Sequence, residues 1–341
     1  MPIASHDPSP LAAARDRAVV CDVAPLALLA VTGLDAATFL QGQLSSDVNG
    51  LAPDACQHTS YNSPGGRMLA NFVLWRAGAG PADGFRALVA ADIAEAVRRR
   101  LAMFVLRSKV TLSDLSPGFA RFGLGGPAAT DALRAALGAV PVVFGVVRLG
   151  ETEILGLPGP RYVVVTPAEG AGAITAALAP HAAPAGFDAW QWLTIRAGVP
   201  VITAPVQDRF VPQTANWDVL GGVDFHKGCY TGQEIVARTQ YLGRLKERLF
   251  AFHAPAPAIA PGERLYSSAF ADQACGTVVN AAPAPDGGCD LVAVLQLAAA
   301  ASGDVHLGAP DGPPLTALPL PYAVPPPAEP RGRNAPRPAA V

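Results

Sequence analysis

One short segment, at positions 227–234, combines residue types that packing alone does not require: Lys-Gly-Cys-Tyr-Thr-Gly-Gln-Glu. Thr231 and Glu234 have the spacing of a helix capping box, and an apolar run follows them. This spacing predicts a helix whose N-terminus lies just after Cys229. Unpaired amide groups at a helix N-terminus carry partial positive charge, and Lys227 adds a full positive charge. Both effects favour the thiolate form of Cys229, which is the nucleophilic and metal-binding form of cysteine.

Cys229 has two interpretations from the sequence. It could be a structural cysteine, since free cysteines are among the most buried residues in proteins. The adjacent Lys227, the predicted helix start and the glycines of the segment favour a reactive or sulfur-ligating role instead. A lone cysteine cannot hold an iron–sulfur cluster, which usually needs about four ligands, so a partner or cofactor would supply the others. His226 has no partners at metal-ligand spacing, and we predict no metal site.

The composition limits the class of protein. A chain of 341 residues with 50% hydrophobic and 15% charged residues predicts a globular protein of two or three domains. The net charge of −2 gives no bulk attraction to nucleic acid or to an anionic membrane, so any RNA contact must be local and weak. The five cysteines are scattered without a Cys-x-x-Cys pair, which argues against a disulfide framework and suits a reducing compartment.

The sequence predicts neither a secretory signal nor a membrane-spanning segment. The first ten residues lack the basic cluster and apolar core of a secretory signal. The longest strongly apolar stretch, at 23–31, is too short to span a bilayer. We therefore expect a soluble, cytoplasmic protein without a membrane partner.

Strands and helices are mixed along most of the chain. A first block has predicted strands at 24–31, 56–62, 67–76, 85–91 and 110–112, with a helix at 35–44 and another that begins near Asp92. Asp92 and Glu95 have capping spacing, and an apolar stripe follows at Ile93, Val97, Leu101 and Phe104. A second block has strands near 120–123, 142–149, 153–157 and 162–165, and helices near 128–137 and 169–178. Such an order favours an α+β fold over a doubly wound parallel sheet. Short alternating runs from 249 to 322 predict a small antiparallel barrel or sandwich.

These patterns divide the chain into six parts. They are an N-terminal extension (1–22), a first α+β domain (23–115), a second α+β domain (116–186), a returning segment with the motif (187–248), a C-terminal β-barrel (249–323) and a disordered Pro-rich tail (324–341). The glycine-rich stretch at 123–128 superficially suggests a dinucleotide-binding loop. Pro127 and the missing downstream acidic residue argue against that interpretation.

Several segments closely resemble the YgfZ-type folate-binding, tRNA-modifying proteins, a family that also includes mitochondrial iron–sulfur assembly factors. The resemblance covers about residues 24–323, and its most specific part is the run at 227–238. The other matching segments are 31–33, 39–44 with Asp47, 107–110, 196–200, 210–213 and 221–225. It implies an α+β, three-domain, T-protein-like ring fold, the aminomethyltransferase folate-binding fold, with a small C-terminal β-barrel.

The resemblance also implies a function. Its cofactor would be tetrahydrofolate or another folate derivative. The protein would be an accessory factor that supports iron–sulfur client enzymes, among them the tRNA methylthiotransferase, with a further link to the regulation of replication. The leading rival is a folate-dependent one-carbon transferase of the aminomethyl type, and a third interpretation is a scaffold or RNA-binding module.

The resemblance makes Trp190 a folate-contacting residue, because a flat pterin stacks well on an indole. The alternative is that Trp190 belongs to an apolar helix stripe, and Trp192, on another face, is expected to pack in the core. Cys229 is the catalytic candidate. The remaining folate-binding candidates, each with a structural alternative, are Lys227, Tyr230, Gln233 and Arg238.

A basic cluster follows the motif and could contact RNA phosphates or a folate tail, although a solvated helix end is commoner. Its members are Arg238, Arg244, Lys246 and Arg248.

Two positions depart from the family pattern. The strand after the glycine turn at 63–66 carries Asn71 and no carboxylate, whereas aminomethyl transfer needs an ionised group near the reacting folate nitrogen. The transferase interpretation would hold only if a remote residue such as Asp47 or Asp224 supplied this ionised group. Leu26 stands where the family can carry a tryptophan that contacts folate.

Overall fold

Three sheets and eight helices form the part of the chain that the computed structural model describes, residues 10–78, 80, 83–241 and 245–325. The first elements are α1 (Pro10–Asp16), β1 (Val19–Asp22), β2 (Leu26–Thr32), α2 (Ala36–Gln43), β3 (Cys56–Asn62), β4 (Met68–Arg76), β5 (Phe85–Ala90), α3 (Ala91–Ala102) and β6 (Thr111–Asp114). Within this group β3, β4, β5, β2 and β6 form an antiparallel sheet in that order.

Helix α3 covers this first sheet with the stripe predicted from sequence. Ile93, Val97 and Leu101 are buried, whereas Phe104 lies beyond the end of the helix and is exposed. The predicted cap at Asp92 is wrong, because the helix begins at Ala91 and Asp92 makes no cap bond. Its Oδ2 instead accepts a hydrogen bond of 2.8 Å from the backbone N–H of Ala204.

The second sheet uses a strand that we assigned to an N-terminal extension. Its later elements are β7 (Phe119–Gly125), α4 (Ala129–Leu137), β8 (Val146–Leu149), β9 (Thr152–Leu157), β10 (Arg161–Pro167), α5 (Ala171–Leu178) and β11 (Ala183–Ala185). The sheet order is β11-β1-β7-β10-β9-β8, so β1 is an interior strand between β7 and β11. The predicted extension at 1–22 therefore ends before Val19, and residues 1–9 lie outside the described residues.

The rest of the chain returns past the first two sheets and then forms a third. Its elements are α6 (Phe187–Arg196), α7 (Gln233–Tyr241), β12 (Glu247–Ala254), β13 (Arg264–Tyr266), β14 (Gly276–Pro283), β15 (Cys289–Gln296), α8 (Leu297–Ser302), β16 (His306–Leu307) and β17 (Thr316–Leu318). The six strands form a curled half-barrel in the order β16-β13-β14-β15-β12-β17. The predicted tail at 324–341 lies outside the described residues except for its first two positions.

Two buried contacts join the sheets. Glu153 on β9 accepts hydrogen bonds from Trp75 Nε1 at 2.9 Å and from Arg86 at 2.6 Å, which links the first and second sheets. Trp192 on α6 donates from Nε1 to Asp290 Oδ2 at 2.9 Å, which links α6 to the third sheet. No described helix is both long and apolar enough to cross a bilayer.

Candidate functional site

A cavity of about 400 Å³ lies where the three sheets meet. Its wall is mostly apolar and comes from all three sheets (β2, β3, β4 and β5; β9 and β10; β14), from α3 and α6, and from the segment after α6. The residues of its wall that bear on function are Leu26, His58, Asn71, Asp92, Arg161, Trp190, Thr203, Trp217 and Asn280. We call this space the central cavity. Leu26 therefore faces the space where the family resemblance predicts a ligand.

Trp190 forms part of the wall of the central cavity and is 3% exposed. Its position depends on Gly123 in strand β7, because a β-carbon at Gly123 would lie 2.4 Å from Trp190 Cε3. Gly125 approaches Leu193 of the same helix in the same way. The glycines at 123 and 125 thus let β7 pack closely against α6, which explains them without a dinucleotide loop.

Arg161, at the start of β10, places a guanidinium group in the same wall. It is 3% exposed and forms no salt bridge with any residue that the structure describes. Its Nε donates to the Pro158 carbonyl at 3.0 Å, and its Nη1 donates to Thr194 Oγ1 at 2.8 Å. The guanidinium carbon lies 5.4 Å from the centroid of the Trp190 ring, in cation–π contact.

The charge of Arg161 is costly in this position. Burial lowers the pKa of Arg161 to about 9, so the side chain stays cationic at neutral pH. A buried charge without a counter-ion loses its hydration and gains little in return. A bound ligand that presents hydrogen-bond acceptors or negative charge to Arg161 would offset this cost.

Asn71 and Asn280 fix the segment that closes the central cavity. Asn71 Nδ2 donates to the Pro200 carbonyl at 2.8 Å, and Asn71 Oδ1 accepts from the Ile202 N–H at 2.8 Å. Asn280 accepts from the Val201 N–H at 2.8 Å and donates to the Val201 carbonyl at 2.9 Å. Both amides are therefore satisfied by the backbone, and neither can act as an ionised group.

Among the residues of this wall, Asp92 is the one carboxylate. It is exposed, and one of its oxygens holds the Ala204 N–H. Asp47 and Asp224 do not line the central cavity. Asp47 accepts from Gln41 Nε2 at 2.9 Å, and Asp224 accepts from the His226 N–H at 2.7 Å. Neither of these two acids replaces the missing carboxylate at Asn71.

The motif segment lies against the end of helix α2 and not on the central cavity. The Lys227 ammonium donates to the carbonyls of Gln41 at 2.9 Å, Leu44 at 2.6 Å and Ser46 at 2.7 Å. A cation at a helix C-terminus satisfies carbonyls that have no partner within the helix. Burial lowers the pKa of Lys227 to about 8. All three N–H groups of Lys227 thus hold the segment to α2.

Cys229 is the exposed cysteine of this chain. The other four, Cys21, Cys56, Cys275 and Cys289, are buried, and burial raises the pKa of each of these four thiols. Helix α7 begins at Gln233, so Gly232, with φ at +81°, occupies the position before it. The predicted capping box at Thr231 is therefore displaced by one residue from the helix start.

The remaining candidates surround Cys229. The Tyr230 ring is 7% exposed and lies 5.2 Å from the Lys227 ammonium, and burial raises the pKa of its hydroxyl. Gln233 is the first residue of α7, and Arg238 is exposed on the same helix. Neither these residues nor Cys229 belong to the wall of the central cavity. The structure thus separates the predicted site into a cavity with Trp190 and a surface segment with Cys229.

The basic cluster predicted after the motif is smaller than expected. Arg248 is 7% exposed, and its Nη1 binds Asp218 Oδ1 at 2.7 Å and the Gln213 carbonyl at 2.8 Å. It is a core ion pair and cannot contact RNA. Arg244 lies outside the described residues, while Arg238 and Lys246 are exposed.

Sequence reasoning missed two polar residues of the central cavity. Arg161 directly follows a Pro-Gly-Pro turn and begins an apolar strand, and no spacing pattern marked it. Asn280 interrupts the apolar run of β14, and a lone amide in a buried strand is the signal that could have identified it.

Comparisons with known proteins cover most of the chain. The family model "GCVT N-terminal domain" matches residues 9–158. The tRNA-modifying protein YgfZ of Edwardsiella ictaluri (strain 93-146) is 32% identical over 301 residues, 86% of this chain and 89% of its own length. The protein of that name from Shigella dysenteriae serotype 1 is 34% identical over 246 residues, 71% of this chain and 73% of its own length.

A solved structure extends the comparison to the fold. The glycine cleavage system aminomethyltransferase T of Bartonella henselae superposes with a TM-score of 0.74 at 17% identity, over 92% of this chain and 88% of its own. The predicted T-protein-like α+β fold is therefore confirmed. Because these relatives are 32% and 34% identical over most of both chains, this chain belongs to the family of the tRNA-modifying protein YgfZ.

Proposed function

We propose that this protein binds tetrahydrofolate, or another reduced folate, in the central cavity and acts as an accessory factor in tRNA modification. The observation that carries the proposal is a buried Arg161, without a counter-ion among the described residues, beside Trp190 in a mostly apolar cavity of about 400 Å³. Ligand pockets of about 300–1,000 Å³ typically combine apolar walls with a few polar groups that orient the ligand.

A pterin suits both features of the wall. Its flat ring can pack against the indole of Trp190, which buries a large area at small entropic cost. Its carbonyl and ring nitrogens supply acceptors for the N–H groups of Arg161. A charge-assisted hydrogen bond in a dry cavity is stronger than a neutral one, so Arg161 would contribute both affinity and orientation.

The accessory role is favoured over one-carbon transfer. Asn71 lies on the strand on which the transferase relative carries an acid, and both ends of its amide bind the backbone. Asp92, the carboxylate of the wall, holds the closing segment at Ala204. The wall thus lacks a free buried carboxylate of the kind that could stabilise charge on a reacting folate nitrogen.

Cys229 would act outside the folate cavity. Its exposure suits a thiol that meets a sulfur- or iron-carrying partner, whereas the buried cysteines are inaccessible. The clients would be cytoplasmic iron–sulfur enzymes such as the tRNA methylthiotransferase, with any effect on replication being indirect. Tyr230, Gln233 and Arg238 would then contribute to this surface, and Lys227 would position it.

A tetrahydrofolate titration followed by calorimetry tests the cavity. We expect saturable binding by the wild-type chain and at least about tenfold weaker binding by Trp190→Ala, since stacking on an aromatic ring contributes about 1–3 kcal/mol. Trp192→Phe is the matched control, because Trp192 lies on the same helix but not in the cavity wall. Absence of saturable binding to the wild-type chain would refute the proposal.

Complementation separates the two parts of the site. In a bacterial strain whose own gene of this family has been deleted, the Trp190→Ala and Cys229→Ala variants should each restore less tRNA methylthiolation than the wild-type chain does. Cys229→Ala should nevertheless bind tetrahydrofolate as tightly as the wild-type chain, because Cys229 is not in the cavity wall. Full methylthiolation by the Cys229→Ala variant would remove the proposed role of the thiol.

A further inference from the structure

A second cavity, of about 320 Å³, lies between the turn before β4 and the third sheet. Three arginines, Arg67, Arg209 and Arg264, contribute to its wall, together with a single carboxylate, Glu247. We call it the arginine cavity. Three cations against one anion leave an excess of two positive charges (3 − 1 = 2) around one concave, largely polar space.

These arginines have no ionic partner among the residues that the structure describes. Arg264 Nη1 donates to Thr277 Oγ1 at 2.9 Å, and Arg67 Nη1 lies 3.5 Å from the Asp208 carbonyl oxygen. The nearby carboxylates have other donors. Asp208 Oδ1 accepts from Ser63 Oγ at 2.6 Å, and Glu247 accepts from Gln296 Nε2 at 2.7 Å.

Convergence of these like charges from separate parts of the chain needs an explanation. Arg67 precedes β4, Arg209 lies in the segment between α6 and α7, and Arg264 begins β13. Like charges around one concave space repel one another and focus a positive potential there. A guanidinium fork matches the oxygens of a phosphate group in a bidentate manner, and several such forks bind a phosphate-rich ligand better than a single charge does.

The arginine cavity also adjoins the motif segment. A β-carbon at Gly66 would lie 2.7 Å from Cβ of Ile235 in helix α7, so the turn that carries Arg67 packs directly against this helix. Exposed Arg238 lies on the same helix, and exposed Lys246 directly precedes Glu247. Two further exposed cations thus lie on elements next to the arginine cavity, although exposed Glu234 on α7 offsets part of their charge.

We propose that the arginine cavity binds phosphate groups, either those of an RNA backbone or those of a free nucleotide. Binding there uses none of the residues in the central cavity wall. The inference therefore stands without folate binding, and the two can fail separately.

Binding of an unmodified tRNA transcript and of ATP, each measured over a range of salt concentrations, tests the inference. The double variant Arg67→Gln/Arg264→Gln should bind the probe at least about tenfold more weakly than the wild-type chain. For the RNA, the slope of log K against log salt should fall by about one for each phosphate contact removed. Arg134→Gln, an exposed arginine on α4, is the matched control and should bind as the wild-type chain does.

The two probes distinguish the sources of phosphate. If the wild-type chain binds tRNA but not ATP, and the double variant loses tRNA binding, the result supports the RNA backbone. If the wild-type chain binds ATP but not tRNA, and the double variant loses ATP binding, the result supports a free nucleotide. Thermal unfolding and tetrahydrofolate affinity of the double variant confirm that it is folded, and the single variant Arg209→Gln replaces it if it is not. The inference is overturned if neither probe binds the wild-type chain, or if the folded variant binds both probes unchanged.

Discussion

Asn71 and Asn280 hold the same three-residue segment, 200–202, from two different sheets. Asn71 on β4 binds Pro200 and Ile202, while Asn280 on β14 binds both backbone groups of Val201. Each amide thus uses its donor and its acceptor on backbone that has no strand partner of its own. The shape of the central cavity wall therefore depends on the relative positions of the first and third sheets.

Replacing Asn71 should loosen this wall. Asn71→Ala removes two hydrogen bonds and leaves the Ile202 N–H buried without its partner, so we expect the free energy of unfolding to fall by about 1–3 kcal/mol. Tetrahydrofolate affinity should fall as well. Urea unfolding and calorimetry measure the two effects, and Asn49→Ala, at an exposed position, should change neither. Unchanged stability of Asn71→Ala would contradict this account of the segment.

Gly123 should be intolerant of even one added methyl group. In Gly123→Ala the new β-carbon would lie 2.4 Å from Trp190 Cε3, so the indole or β7 must move. We expect a loss of about 1–3 kcal/mol in the free energy of unfolding and weaker folate binding. Gly118→Ala is the matched control, because no heavy atom lies within 4 Å of its added carbon. Equal behaviour of the two variants in thermal unfolding would refute the packing argument.

Arg161 should lower the stability of the free protein while it supports binding. Arg161→Met keeps most of the side-chain volume and removes a buried charge that has no counter-ion in the described structure. We expect the free energy of unfolding to rise by about 1 kcal/mol, and tetrahydrofolate affinity to fall at least about tenfold. Urea unfolding without ligand and calorimetry with ligand give the two readouts. A parallel loss of stability and affinity would instead indicate a purely structural role.

Lys227 should act through position and not through direct contact with folate. Lys227→Met removes three hydrogen bonds to the carbonyls in and just after the last turn of α2, and we expect about 3 kcal/mol less stability. Calorimetry at a temperature where the variant is folded should give wild-type tetrahydrofolate affinity. Lys246→Met, at an exposed site, should leave the stability unchanged. A selective loss of folate affinity would place Lys227 in the ligand site.

His58 should make the protein less stable in acid. Burial lowers the pKa of His58 to about 4, and its ring stacks on Trp217 at a centroid distance of 4.6 Å. Since the unfolded chain takes up this proton near pH 6.5, stability is full above that pH and is lost as the pH falls toward 4. The loss is about 3 kcal/mol at most. His58→Asn should flatten urea-unfolding stability between pH 6.5 and 4.

His226→Asn, at a position whose side chain is 93% exposed, should leave the slope of stability against pH as it is in the wild-type chain. A steep slope that survives in His58→Asn would assign the acid sensitivity to other groups.

The fold was largely predictable because local patterns and tertiary packing agree. The strand at 56–62 has the predicted bounds, and the stripe of α3 differs only at Phe104. Strand β1 was missed because four residues with no nearby partner carry too little local signal. Its hydrogen-bonding partners, β7 and β11, lie far along the chain.

The candidate site was predictable only in part. Trp190 was identified from the family resemblance, and the structure places it in a cavity wall. The expectation that Cys229 lies at the rim of the same folate site came with the family resemblance, which does not determine a distance in space. Arg161 and the arginine cavity arise from residues brought together by the tertiary fold, so no sequence pattern could show them.

The interior position of β1 has a consequence for how the chain folds. During synthesis β1 emerges first, yet its neighbours β7 and β11 follow only after the whole first sheet has been made. Such long-range pairing slows folding, because a large loop must close before the contacts form. The N-terminal strand must therefore wait for the rest of the second sheet, and a truncation that starts at residue 23 would expose two unpaired strand edges prone to aggregation.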